Sequence, residues 1–70
     1  MEYSFKNNRI AELRQSLHYS QVQLAKKLQT SQANLSRWEK GLIEPSIIEC
    51  WKMANFFGVS IDYLCGRSEY

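Results

Sequence analysis

Gln32, Ala33, Ser36 and Arg37 are the residues of this chain whose types and spacing can do chemistry together. At roughly 100° per residue of helix they fall on one side, and Leu35, Trp38 and Glu39 fall on the other. A glutamine amide can bond adenine bidentately at N6 and N7, an arginine guanidinium can do the same to guanine O6 and N7, and an alanine methyl can touch the methyl of thymine. The four are therefore suited to reading base edges in a major groove. An ordinary solvated helix face has the same composition, and from these side chains alone both readings stand.

A face of that kind works only if its helix is held at a fixed angle. Residues 20–41, SQVQLAKKLQTSQANLSRWEKG, predict two short amphipathic helices joined by a tight turn. Leu24, Ala25 and Leu28 stripe the first, and Leu35 and Trp38 stripe the second. Ala25 is small, as a steep crossing of two short helices requires where their backbones approach. Ser20 and Ser31 are expected N-caps, and Gln23 stands at the return position of a capping box with Ser20.

Around this pair the pattern predicts three more helices. The first spans residues 5–17, with Phe5, Ile10, Leu13 and Leu17 on one side, and His18-Tyr19 turns the chain into the next. Gly41 stops the third helix and Pro45 prevents its continuation. Ser46 with Glu49 forms a second capping box, opening a fourth helix with Ile47, Cys50, Ala54 and Phe57 as its stripe and Gly58 as its end. Ser60 caps a short fifth helix carrying Ile61 and Leu64. Five helices and no strand pattern give an all-α bundle, one domain over residues 1–70 with the helix-turn-helix at about 21–40.

The matching residues bring a resemblance. Gln21, Leu24-Ala25, Leu28, Leu35, the Arg37-Trp38-Glu39-Lys40-Gly41 run, Glu44-Pro45-Ser46, Ala54 and the stretch GVSIDYL over residues 58–64 make the chain similar to the phage repressor and Cro-type helix-turn-helix proteins, xenobiotic-response-element-like regulators. The resemblance covers residues 5–66. It implies a five-helix bundle of the phage repressor DNA-binding domain type, with Gln32, Ala33, Ser36 and Arg37 reading bases. It also implies that Gln21, at a helix N-terminus suited to anions, bonds a DNA phosphate and braces Gln32. Asn34 and Lys40 are expected phosphate contacts. Arg14 and Glu39 are expected to pair, partly buried, holding the recognition helix against the bundle. One departure is Gln29, which stands where the family usually has a left-handed glycine, a conformation that costs a side-chain-bearing residue about 1 kcal/mol.

Composition narrows the alternatives. A hydrophobic content of 44% is enough for a core in 70 residues, and the start MEYSFKNNR lacks the apolar run of a signal peptide. No stretch of about 18 apolar residues occurs, so the expectation is a cytoplasmic protein with no membrane contact. Cys50 and Cys65 are then expected to be reduced packing residues, and with one histidine they cannot fill a structural zinc site. His18 has no nucleophile or carboxylate partner and there is no glycine-rich phosphate loop, so no catalytic residue, metal, cofactor or small-molecule ligand is expected. Residues 1–30 hold five basic and two acidic side chains, which concentrates positive charge there, with Lys6, Arg9, Lys26 and Lys27 expected at the surface.

The expected function is sequence-specific binding of double-stranded DNA by a repressor or regulator. One module covers too little DNA to select a site in a genome, and the resemblance implies a homodimer on a near-palindromic operator. Tyr63, Leu64, Cys65 and Tyr70, on the fifth helix and tail, are the expected dimer surface. The rival is a protein-interaction module, antitoxin-like or anti-regulatory, using Leu42, Ile43, Trp51 or the tail. The loop after Lys40 favours it, being apolar and poor in basic residues.

Overall fold

Four serines begin four helices of this chain, and each does so through the same bond. In a computed structural model that describes residues 4–69, Ser20, Ser31, Ser46 and Ser60 each accept a hydrogen bond on the side-chain oxygen from the N–H three residues on. Reciprocal capping boxes are complete at Ser20/Gln23 and Ser46/Glu49. The helices that follow are α2 (Gln21–Leu28), α3 (Gln32–Glu39), α4 (Ile47–Phe57) and α5 (Ile61–Cys65), preceded by α1 (Ile10–Ser16) and a 3-10 turn, Phe5–Asn7. The fold is all-helical, with no strand among the described residues.

The core takes one fully buried side chain from each helix: Ile10, Leu24, Leu35, Met53 and Leu64. Around them pack Phe5, Ala25, Leu28, Trp38, Cys50, Ala54 and Cys65. Burial of this size is what offsets the ordering of such short helices, none of which would persist alone. α2 and α3 pack against each other, α3 also against α1, and α4 against α5.

Several expectations need correcting. The first helix is not continuous over residues 5–17, because the Asn8 side chain interrupts it. Its Oδ1 accepts from the Ile10 N–H at 3.0 Å, and its Nδ2 donates to the Phe5 carbonyl at 2.7 Å. That is how asparagine competes with helical bonding. Leu17, past the shortened end of α1, is exposed, and so is Ile47, 70% exposed in the first turn of α4. Met53 fills the place in the α4 stripe that Ile47 was expected to help fill. Arg9 is not a solvated cation: its guanidinium lies 4.1 Å over the Tyr63 ring and Nη1 donates to the carbonyls of Tyr63 and Ser68, fastening the end of α5.

Leu64 and Cys65, expected on a dimer surface, are core residues. Leu64 has no exposed surface and Cys65 is buried, because the short α5 turns its apolar side inward against α4. Tyr63 is half-buried under Arg9. Tyr70 lies outside the described residues.

Gly41, past the end of α3, has φ of +72°, and the 3-10 turn crosses so close behind it that a Cβ there would lie 2.6 Å from the Lys6 Cα. Only glycine fits that crossing.

Candidate nucleic-acid interface

The α2–α3 turn sets where α3 can stand. Gln29 closes α2 in the left-handed region, φ 60° and ψ 42°, so the turn adopts the glycine conformation without the glycine. Thr30 then donates its N–H to the Ala25 carbonyl at 2.9 Å, and Ser31 caps α3 one residue later. With Leu35 and Trp38 buried, the opposite side of α3 faces outward.

That outward side carries the expected residues. Gln32, Ala33, Asn34 and Arg37 are exposed and Ser36 is half-buried. The Arg37 guanidinium has no hydrogen bond or ion pair among the described residues, so its five donors are left for an outside acceptor. Asn34 Nδ2 reaches the Thr30 hydroxyl at 3.4 Å, and Lys40 caps the far end of α3 with its ammonium in solvent.

Behind this face runs a chain of polar side chains. Gln32 Nε2 donates to Gln21 Oε1 at 3.4 Å, and Gln21 Nε2 donates to Glu39 Oε1 at 3.0 Å. The Glu39 carboxylate also takes the Arg14 fork, from Nε at 2.7 Å and Nη2 at 3.2 Å. Arg14 Nη1 finishes on the Tyr19 carbonyl at 2.9 Å, beside the start of α2. The Arg14 and Glu39 side chains are only 14% and 6% exposed, so the pair is held out of water and its bidentate geometry is fixed. One ion pair thereby ties α1 to α3, and through Gln21 it reaches the first residue of the outward face.

Asn8 is a contributor that the sequence reading missed. Its Nδ2 donates to the Trp38 carbonyl at 3.0 Å as well as to Phe5, so it adds a second donor to a carbonyl at the end of α3 that also accepts the Gly41 N–H. The signal was available, since two successive asparagines before an apolar helical run mark a break rather than a helix interior. Of the cations expected at the surface, Lys6, Lys26 and Lys27 are exposed there, while Arg9 is engaged internally.

Short capped helices packed at a tight turn, with one helix face turned out and braced from behind, define a class. This chain belongs to the helix-turn-helix family of the Cro/CI type, and the family model described as helix-turn-helix matches residues 10–64. It is 38% identical over 61 residues to the HTH-type transcriptional regulator ImmR of Bacillus subtilis (strain 168), covering 87% of this chain and 48% of ImmR. It is also 33% identical over 63 residues to the HTH-type transcriptional activator BcrR of Enterococcus faecalis, covering 90% of this chain and 31% of BcrR. The chain thus spans less than half the length of either relative. No helix among the described residues is long and apolar enough to cross a membrane.

Proposed function

We propose that this chain is a DNA-binding domain of a transcription regulator, reading double-stranded DNA with α3 in the major groove. The observation that carries the reading is the exposed, unpaired Arg37 beside Gln32 on a helix fixed from behind by Arg14, Glu39 and Gln21. Gln32, Ala33, Ser36 and Arg37 read bases, while Gln21, Asn34 and Lys40 bind phosphates. Membership of the family and the printed names of both relatives support this reading. Its place of work is the cytoplasm, and repression is its simplest consequence, since a bound chain blocks the DNA it covers without any further contact.

The domain acts as a homodimer on a near-palindromic operator, because one α3 covers only a few base pairs. With Leu64 and Cys65 in the core, the surface for a second copy passes to residues 42–51. Leu42, Ile43, Ile47, Ile48 and Trp51 are all exposed there, directly after the recognition helix. A protein-interaction module remains the second reading, favoured by the same apolar surface.

The test is binding to a site selected from a random DNA pool. Arg37→Ala should lose about 1–3 kcal/mol at one base pair per half-site, whereas Gln21→Ala should weaken all sequences alike. Inserting five base pairs between half-sites should abolish tight binding by rotating the second site to the opposite side of the duplex. Equal losses for Arg37→Ala on selected and random DNA would overturn base reading. Binding by one chain, indifferent to spacing, would overturn the dimer.

A further inference from the structure

Asn8 takes no part in the outward face of α3, yet its side chain holds the far end of that helix. Its Nδ2 donates to the Phe5 carbonyl at 2.7 Å and the Trp38 carbonyl at 3.0 Å, with the Glu39 carbonyl at 3.4 Å. Its Oδ1 accepts from the Ile10 N–H at 3.0 Å, at the start of α1. Only one orientation of the amide works, because the nitrogen faces carbonyls and the oxygen faces an N–H. The 3-10 turn next to it is anchored by Phe5, buried in the core, and lies against Gly41.

α3 is therefore held at both ends. At its start the turn is closed by the Thr30 N–H on the Ala25 carbonyl, and Gln21 reaches Gln32. At its finish Asn8 holds the carbonyls of Trp38 and Glu39, the two residues that follow Arg37. The Arg14–Glu39 pair shares that end, but it acts through a side chain with several rotatable bonds, whereas Asn8 holds the backbone itself. A short helix fixed at its start alone swings about that point. Arg37 lies about 7.5 Å along the axis beyond Gln32, so a swing of about 8° moves it by about 1 Å and Gln32 hardly at all. Hydrogen-bond lengths tolerate about half of that.

We infer that Asn8 is a positioning residue for base reading, holding the C-terminal end of α3 where Arg37 meets its base pair. This rests on α3 reading DNA as proposed above. The two readers are then positioned separately, Gln32 by Gln21 and Arg37 by Asn8. Losing the Asn8 donor blurs the base pair that Arg37 reads and spares the one that Gln32 reads. A side chain that only stabilised the start of α1 would lower the stability of the chain and leave both base pairs equally well read. Serine separates these two uses. Its hydroxyl still accepts from the Ile10 N–H, as in other serine turns, but is too short to reach the Trp38 carbonyl.

The experiment measures binding of the unaltered chain, Asn8→Ser, Arg37→Ala and the double variant to a site selected from a random DNA pool and to its single-base-pair changes. Asn8→Ser should cut discrimination by about tenfold at the base pair affected by Arg37→Ala, and by under about twofold elsewhere. Once Arg37 is alanine it should cost nothing further. Ile10→Val, which disturbs the core but not the end of α3, should leave discrimination intact. Hydrogen exchange of the free chain is the second measure. In Asn8→Ser the Gly41 and Leu42 N–H groups, bonded to the Trp38 and Arg37 carbonyls, should exchange faster, while the Thr30 N–H at the other end should not. If Asn8→Ser does not fold, the unaltered chain decides, since its Asn8 side-chain amide protons should be protected from exchange. Equal loss at every base pair, a further loss in the Arg37→Ala background, unchanged exchange at Gly41 and Leu42, or an unprotected Asn8 amide would each overturn the inference and leave base reading standing. An Arg37→Ala variant that keeps full discrimination would overturn base reading, and the inference with it.

Discussion

The two regions that flank Lys40 solve opposite problems. On one side, residues 20–40 spend their polar groups on each other: Ser20, Gln21, Ser31, Gln32 and Glu39 all hold intramolecular bonds that fix α2 and α3. On the other, residues 42–51 leave Leu42, Ile43, Ile47, Ile48 and Trp51 in water. Such a cluster goes beyond the scattered apolar residues of an ordinary surface. The difference suits the two regions to partners of different chemistry. A preorganised polar face suits a charged, hydrogen-bonding partner, because its side chains lose little freedom on binding. An apolar face suits a protein surface, where water is released.

The comparison breaks most visibly at Glu39. Removing its carboxylate strands a mostly buried Arg14 and frees Gln21, so Glu39→Ala should destabilise the fold by about 3–5 kcal/mol. Glu44→Ala, in the exposed loop beyond, should stay within about 0.5 kcal/mol. Chemical denaturation of both variants checks the contrast, and similar midpoints would mean that the brace holds nothing.

A smaller effect is expected from the apolar side. Ile47→Lys with Trp51→Lys touches exposed side chains only, so the stability of the chain should barely change. If residues 42–51 join two copies on DNA, the double variant should bind a two-half-site operator about a hundredfold more weakly, through lost effective concentration, while a single half-site is bound as before. Unchanged operator binding, measured by fluorescence anisotropy, would assign the surface to some other protein.

How much of this was legible in the sequence depended on how local the cause was. Serine caps are local, a hydroxyl and an N–H three residues apart, and all four lay where the sequence placed them. The outward face of α3 follows from helical periodicity, and the pairing of Arg14 with Glu39 came from the family resemblance rather than from spacing. What was not legible depended on distant packing. Leu64 looks the same in sequence whether it covers a core or a partner, and only the docking of α5 on α4 decides it. Ile47 fits the α4 stripe by period, but the first turn of that helix projects beyond the core, and Met53 fills the place instead. Asn8 and Arg9 act across the fold on Trp38 and Tyr63, at separations no local pattern encodes.

The smallest expected effect sharpens the comparison by asking whether strain in the polar region is functional. Gln29 is exposed yet holds a left-handed conformation, and His18 does the same at φ 61°. Gln29→Gly removes the clash between Cβ and backbone but adds freedom to the unfolded chain, leaving a net gain of about 0.5–1 kcal/mol. In a domain of this size that raises the thermal midpoint by roughly 2–8 °C, readable by circular dichroism. The turn geometry that glycine adopts is the one already present, so α3 should not move and DNA affinity should stay the same. A midpoint that fails to rise would show that the Gln29 side chain contributes packing which offsets its strain. A rise in stability accompanied by weaker DNA binding would mean that the strained turn sets the angle of α3, and that the polar region trades stability for the position of its reading face.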